Sequence, residues 1–250
     1  MVRTVRLFSE VIILDIGAMT DAGRIRENNQ DAYYLPSLED KPLFIIADGM
    51  GGHKAGEIAS NLAVEIIRKS FNKDTNKYIE ERILNSIDEA NNKIYNKAIN
   101  EEECSGMGTT VTLVYIDDKQ LYIGHVGDSR AYVLKDNKLC QITEDHSLVE
   151  ELIKNGSISR EEAKQHPQRN IITRAVGTGE NIDVDIILIP KEDVDMFLLC
   201  TDGLTNMLED EEIKYYLLNG QNMQKACEDL VNISNDKGGY DNITVIAVKF

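Results

Sequence analysis

Four aspartates of this 250-residue chain share one local setting. Asp48 follows Phe44-Ile45-Ile46-Ala47 and precedes a glycine, Asp128 closes YIGHVGD, Asp202 closes FLLCTD before another glycine, and Asp241 opens DNITVIAV. Apolar runs of this kind read as mostly buried strands, so each carboxylate lies at the rim of the core. A carboxylate there is costly unless it is paired or bound to a cation. No arginine or lysine is placed to serve all four, and a shared metal site is the simplest explanation. Asp-Gly and Asp-Asn are also turn formers. A turn alone does not account for Asp48 or Asp202, because no returning strand follows either.

Ligands that are all oxygen suit Mg2+ or Mn2+ better than zinc or copper. Two such ions sharing a carboxylate lower the pKa of a water held between them, which is hydrolytic chemistry and is most often directed at phosphoesters. The phosphate then needs a cation. Arg26, in RIRENNQDAYY and five residues before Asp31, carries a guanidinium that can grip two phosphate oxygens at once.

Composition excludes several other chemistries. A net charge of −16 and a pI near 4.7 repel a nucleic-acid backbone, so no nucleic-acid partner is expected. Cys104, Cys140, Cys200 and Cys227 are far apart with no C-x-x-C pair, the pattern of reduced, mostly buried thiols. His53, His125, His146 and His166 show no H-E-x-x-H motif, which argues against a zinc hydrolase. No apolar run approaches the ~18 residues of a membrane span. The N-terminal MVRTVRLFSEVIILDIGAM is interrupted by Glu10 and Asp15 and reads as a leading extension, not a signal peptide. A cytoplasmic monomer without membrane insertion is expected.

The elements that must position these residues follow from periodicity. Strand-like runs fall at 11–18, 31–35, 43–47, 109–116, 120–127, 130–135, 183–189, 195–200 and 243–249. Helical spacing links Ile58, Leu62, Ile66 and Ile67, then Ile79, Ile83, Ile87, Ile94 and Ala98, and later Ala226, Leu230 and Ile233. Strands cluster as hairpins and helices come in blocks, which predicts an α+β fold with antiparallel sheets. The polar segment 143–177 interrupts this order as a small helical insertion, with Ser159-Arg160-Glu161-Glu162 shaped as a capping box.

Eight segments in chain order resemble the type 2C protein phosphatases, the metal-dependent Ser/Thr phosphatases, in their compact bacterial form. They are TDAGRIRENNQD (20–31), ADGMGGHKAGEIAS (47–60), SGMGTTVT (105–112), HVGDSRAY (125–132), TEDHSLVEEL (143–152), HPQRNIITRAVG (166–177), LLCTDGLTNML (198–208) and GGYDNITVI (238–246). The resemblance implies a central sandwich of two antiparallel sheets flanked by helices. Residues 15–250 would be one catalytic domain, with a flap at 146–175 and residues 1–14 as an extension.

By the same resemblance, Asp48 would bridge two metal ions and Gly49 would offer its carbonyl to one. Asp202 and Asp241 would complete the second, and Asp128 with Asp202 would hold a third. Arg26 would bind the substrate phosphate and Asp31 a metal-bound water. The implied reaction is direct attack on phosphoserine or phosphothreonine by a water or hydroxide bridging two ions, Mn2+ or Mg2+. The implied partners are phosphorylated proteins, including a eukaryotic-like Ser/Thr kinase whose action the enzyme reverses.

Met50 stands where better-known members carry a histidine, so the general acid is open among His53, His166 and water. The glycines after Asp48 do not cradle a nucleotide, because G-K-[S/T] is lacking; they let the backbone turn so that Asp48 and the Gly49 carbonyl face the metals together. An aspartyl-phosphate mechanism is rejected, because Asp183-Val184-Asp185 is followed by Ile186 and preceded by no long apolar strand. The remaining alternative is a non-catalytic phosphoprotein-binding member of the fold. The presence of Asp31, Asp48, Asp128, Asp202 and Asp241 favours catalysis.

Overall fold

Alternation with a period of two shapes most of the strands, and it decides which layer each side chain joins. The structure, a computed structural model, describes residues 2–6, 11–37, 40–52, 54–73 and 77–250, with the backbone alone over 2–6 and 11–13. In chain order it opens with β1 (Val2–Arg6), β2 (Val11–Asp21), β3 (Asp31–Tyr34) and β4 (Leu43–Met50). Helices α1 (Ala55–Lys73) and α2 (Ile79–Asn100) follow. Next come β5 (Gly108–Thr109), β6 (Val111–Ile116), β7 (Gln120–Val126), β8 (Arg130–Lys135) and β9 (Lys138–Gln141). The insertion carries α3 (Leu148–Lys154) and α4 (Arg160–Lys164). The chain closes with β10 (Asp185–Pro190), β11 (Met196–Cys200), α5 (Asp202–Thr205), α6 (Asp210–Asn219), α7 (Met223–Asp236) and β12 (Ile243–Lys249).

Two antiparallel sheets result, as the hairpin pattern predicts. One runs β1-β2-β12-β11-β8-β9 and the other β10-β7-β6-β4-β3, with β5 paired to β4. Within the stretch expected as an N-terminal extension, β1 pairs with β2 from Val2 opposite Asp15 to Arg6 opposite Val11.

Three apolar layers hold the stack. Phe44 and Ile46 of β4 point between the sheets and meet Phe197 and Leu199 of β11 there. Leu43, Ile45 and Ala47, on the opposite face of β4, pack under α1 and α2 with Ile83, Ile87 and Ile94. On the far side, Leu198 and Cys200 of β11 pack with Leu230 and Val231 of α7. Cys104, Cys200 and Cys227 are buried free thiols, whereas Cys140 is exposed.

Helix ends follow their caps. The Asn222 side chain accepts the Lys225 N–H to start α7, and Ser159 with Glu162 forms the expected capping box of α4. The acidic run after Leu208 reads as merely polar in sequence. It forms α6, because Glu209 and Glu212 make a reciprocal capping box and Ile213 and Leu217 bury one face.

Phe44 and Phe197 join the two sheets directly, edge to face with ring centroids 5.3 Å apart. Both are essentially inaccessible to solvent. Replacing Phe44 with Ala should cost about 3–5 kcal/mol, as truncation of a packed aromatic does. An unchanged urea midpoint in Phe44→Ala would show that this layer does not hold the sheets together.

Candidate metal centre

The inner faces of the central strands change character at one end of the sandwich. β4 reads Phe44, Ile46, Asp48 along its inner face, and β12 read backwards gives Val248, Ile246, Thr244. The same step from apolar to polar appears in β11 (Phe197, Leu199, then Thr201), β6 (Ile116, Val114, Thr112) and β7 (Leu121, Ile123, His125). At that end the middle layer therefore stops being apolar and becomes a polar cleft. Every sequence-predicted aspartate lies there: Asp31 and Asp48 in β3 and β4, Asp128 between β7 and β8, Asp202 at the start of α5, and Asp241 just before β12.

Asp31 and Asp48 are directly opposed in the β3–β4 ladder, and like charges opposite one another are unfavourable. The sequence predicts a strand ending at Ala47 and a turn at the glycines. In the structure β4 runs on through Asp48 and Gly49 to Met50, and the positive φ of 130° comes at Gly51. Gly49 is required for another reason: a Cβ there would lie 2.0 Å from the Gly56 carbonyl oxygen of α1.

The backbone around Asp48 is clamped by hydroxyls. Its N–H donates to Thr110 Oγ1 at 2.9 Å, while Thr109 Oγ1 donates to its carbonyl at 2.8 Å. Thr110 Oγ1 also bonds Ser129 Oγ, the neighbour of Asp128, at 2.8 Å. Thr201 Oγ1 and Thr244 Oγ1 both donate to Asp31 Oδ2, at 3.0 and 2.6 Å. None of these threonines, nor Ser129, stands out in the sequence as a site residue. For Thr201, Thr244 and Ser129 the signal is that each lies two residues beyond an inner-facing apolar side chain, Leu199, Ile246 and Ala131; Thr109 and Thr110 carry no such signal.

The electrostatics are those of a buried cluster of like charges. Burial and the charges of Asp31, Asp202, Asp128 and Asp241 hold Asp48 well above the usual carboxylate range, although its side chain is partly accessible. Asp128 is raised by burial and by Asp202. Burial pushes Asp31 up to about 7, against the two threonine hydrogen bonds. Burial and Asp241 push Asp202 up to about 6, although Asn206 Nδ2 donates to its Oδ2 at 3.0 Å.

Arg26 is the cation that reaches this rim. Its Nη2 donates to Asp241 Oδ2 at 2.8 Å, with the side chain half exposed. Asn242 fixes the loop that carries it: Nδ2 donates to the Ala22 and Asn28 carbonyls, and Oδ1 accepts from Gln30 N–H. The histidines are placed differently. His125 bonds Thr112 Oγ1 through Nδ1 and the Glu144 carbonyl through Nε2. His146 Nδ1 accepts the Gly127 N–H, and its Nε2 lies 3.1 Å from Asp185 Oδ2. His166 sits in the insertion with Nδ1 accepting from the Gln168 N–H, and His53 lies outside the described residues.

The donor set fits hard divalent ions. Asp31 Oδ1, Asp128 Oδ1 and Asp202 Oδ1 are buried oxygens without a hydrogen-bond partner, and such atoms are expensive unless something binds them. Among the described residues no three His, Cys, Asp or Glu side chains close into a ready metal cage. The oxygens form an open rim, and Mg2+ and Mn2+ take such sites with water filling the remaining positions.

Known proteins share this fold. The profile of the protein phosphatase 2C family matches residues 23–245. Serine/threonine phosphatase stp of Listeria welshimeri is 40% identical over 235 residues, spanning 92% of this chain and 93% of that one. Serine/threonine phosphatase Stp1 from Staphylococcus aureus has a crystal structure that superimposes with a TM-score of 0.89 at 34% identity, covering 100% of this chain and 97% of the other. The catalytic domain of serine threonine protein phosphatase PstP, crystallised in complex with two manganese ions, superimposes with a TM-score of 0.84 at 31% identity over 94% of this chain and 97% of that one.

The raised carboxyl groups give a pH signature. Without metal, the folded protein holds protons on Asp31 and Asp202 that the unfolded chain releases near the ordinary value of about 4. Their contribution to stability is full below that value and is lost as pH rises through about 6 and then about 7. Melting temperature in EDTA should show this loss across that window, and Mn2+ should raise it most at the alkaline end. A pH dependence unchanged in the Asp31→Asn, Asp202→Asn double variant would show that other groups set it.

Proposed function

The chain belongs to the protein phosphatase 2C family, and from that premise we propose how its residues divide the work and what they act on. It is a metal-dependent protein serine/threonine phosphatase. The observation that carries the assignment of roles is the convergence of five aspartates, three with orphaned buried oxygens, beside the Arg26 guanidinium.

Asp48, Asp202, Asp241 and the Gly49 carbonyl would hold two Mn2+ or Mg2+ ions, and Asp128 with Asp202 a third. When bound, the ions supply Lewis acidity, lowering the pKa of water and drawing charge off the phosphoryl oxygens. Arg26 grips the phosphate: its guanidinium is anchored through Nη2 to Asp241 and keeps further N–H donors for the phosphoryl oxygens as their charge grows. Asp31 has one oxygen taken by two threonine hydroxyls and the other without a hydrogen bond, so that free oxygen accepts from the attacking water and orients it. Water attacks phosphorus directly, with no phosphoenzyme.

His125 and His146 have both ring nitrogens engaged, which leaves neither available to protonate the leaving alkoxide. The proton donor is thus left to His53, His166 or water.

The proposed substrates are phosphorylated proteins, among them a eukaryotic-like Ser/Thr kinase whose autophosphorylation the enzyme reverses, and the working form is a cytoplasmic monomer. The resemblance of the eight sequence segments supports the kinase partner. Among the described residues no helix is long and apolar enough to cross a membrane. A purely phosphoprotein-binding role is disfavoured because the aspartates needed for catalysis are all present.

With Mn2+ the protein should release phosphate from p-nitrophenyl phosphate, phosphothreonine peptides and an autophosphorylated Ser/Thr kinase, and EDTA should stop all three. Asp48→Ala should abolish turnover with the circular-dichroism spectrum intact; wild-type turnover in that variant would refute the metal assignment. Arg26→Ala should act mainly by raising KM, roughly tenfold for loss of a charge-assisted phosphate contact. An effect confined to kcat would take Arg26 out of phosphate binding.

A further inference from the structure

Two exposed apolar side chains flank the Arg26–Asp241 ion pair. Ile25 is 64% exposed and Tyr240 63% exposed. Single exposed apolar residues are ordinary on a protein surface, but the placement of these two is not. The loops that carry them are tied by two cross-loop contacts: the Arg24 N–H donates to the Gly239 carbonyl at 2.7 Å, and Arg26 Nη2 donates to Asp241 Oδ2 at 2.8 Å. Ile25 and Tyr240 each lie between those two contacts, one on either loop.

The loops are held in this register by backbone that cannot shift. Gly239 has a φ of 51°, and a Cβ on it would lie 3.0 Å from both Arg24 N and Arg24 Cγ. Gly23 has a φ of 81°, and a Cβ there would lie 2.3 Å from the Asp241 carbonyl oxygen. Asp21 Oδ1 accepts from the Gly23 N–H and from Asn235 Nδ2, joining the first loop to the end of α7. Ile25 and Tyr240 are thus presented by a rigid frame, where little ordering entropy opposes binding.

Arg24 completes the patch. It is exposed and has no carboxylate in ion-pair reach among the described residues. Arg26, two residues on, is engaged by Asp241. In a chain of net charge −16, the R-I-R segment puts an unpaired cation and an apolar side chain beside the group that grips phosphate.

We infer that Arg24, Ile25 and Tyr240 form a substrate-reading lip, which selects phosphorylated protein segments carrying an aliphatic side chain and a carboxylate close to the phosphoresidue. The aliphatic group lies against Ile25 and the Tyr240 ring, and the carboxylate pairs with Arg24. This rests on Arg26 being the phosphate-gripping group, because the lip reads only what lies next to a phosphate held there. The overall negative charge repels acidic segments at a distance, so Arg24 contributes selection at contact more than overall affinity.

Four phosphothreonine peptides test it, identical except that the flanking positions carry Leu with Glu, Ser with Glu, Leu with Lys, or Ser with Lys. The measured quantity is kcat/KM for each, divided by kcat/KM for p-nitrophenyl phosphate, which has no flanking chain. The wild-type enzyme should favour the Leu–Glu peptide over the Ser–Lys peptide by about five- to twentyfold, the size that one apolar contact and one rim charge supply. Ile25→Ser and Tyr240→Ser should erase the Leu preference and keep the Glu preference. Arg24→Glu should reverse the Glu-over-Lys preference and keep the Leu preference. Equal ratios for all four peptides in the wild-type enzyme would overturn the proposal, as would variants that retain wild-type preferences. A parallel fall of peptide and p-nitrophenyl phosphate rates would also overturn it, because the lip would then support the centre and read nothing. Failure of the phosphate-grip reading shows separately, as an Arg26→Ala variant with unchanged KM for p-nitrophenyl phosphate.

Discussion

Five carboxylates gathered at one rim repel one another, and the rest of the structure is arranged to hold them there. Asp31 faces Asp48 across a single strand pair, and Asp128, Asp202 and Asp241 add their fields to the same point. Such a cluster survives in a folded protein if its members take up protons or if cations bind between them. Burial and mutual repulsion favour the first course, raising Asp48 and Asp128 well above the ordinary carboxylate range and Asp31 and Asp202 to about 7 and about 6. A divalent ion supplies the second course, and the stored repulsion becomes affinity for that ion.

The supporting groups are mostly neutral donors. Thr109, Thr110, Thr201, Thr244 and Ser129 fix the strand ends by hydroxyl hydrogen bonds, and Asn206 and Asn242 by amides. A hydroxyl or an amide orients a carboxylate without cancelling its charge, whereas a buried lysine would occupy the place of the metal. A second cation near the cluster, Arg130, is held by Asp145 in three contacts of 2.6–3.1 Å. Its charge is thereby largely spent on a partner outside the cluster.

The insertion is joined to this centre at its base by hydrogen bonds from buried residues. His146 and Gly127 exchange two of them, the His146 N–H to the Gly127 carbonyl and the Gly127 N–H to His146 Nδ1. Asp185 takes His146 Nε2 at 3.1 Å and Arg174 Nη1 at 2.8 Å. The Asp-x-Asp segment that superficially suggests a phosphorylated aspartate therefore contributes a fastening point. Further out, α4 is linked to the start of α6 by the exposed Lys164–Glu209 pair, an interaction worth about 0–1 kcal/mol. Base and tip of the insertion are thus secured by interactions of different strength.

The sequence by itself carried most of this architecture. Apolar runs and helical spacings located most of the strands and the long helices, and the rim position of the aspartates pointed to a hard metal and a phosphoester. That much is legible because periodicity is local: two-residue alternation records which face a side chain takes, and a D-G or D-N step records where the strand meets the cleft. The capping role of Glu209 in α6 was missed because an acidic run looks like a solvated loop unless its reciprocal hydrogen bonds are seen. Tertiary structure alone decided that Asp31 opposes Asp48, that Arg26 engages an aspartate 215 positions away, and that Thr201 and Thr244 converge on Asp31. Those facts depend on strand order and register, which set β2 beside β12 and β12 beside β11. Local sequence fixes the face a residue shows, but only the assembled sheets fix what that face meets.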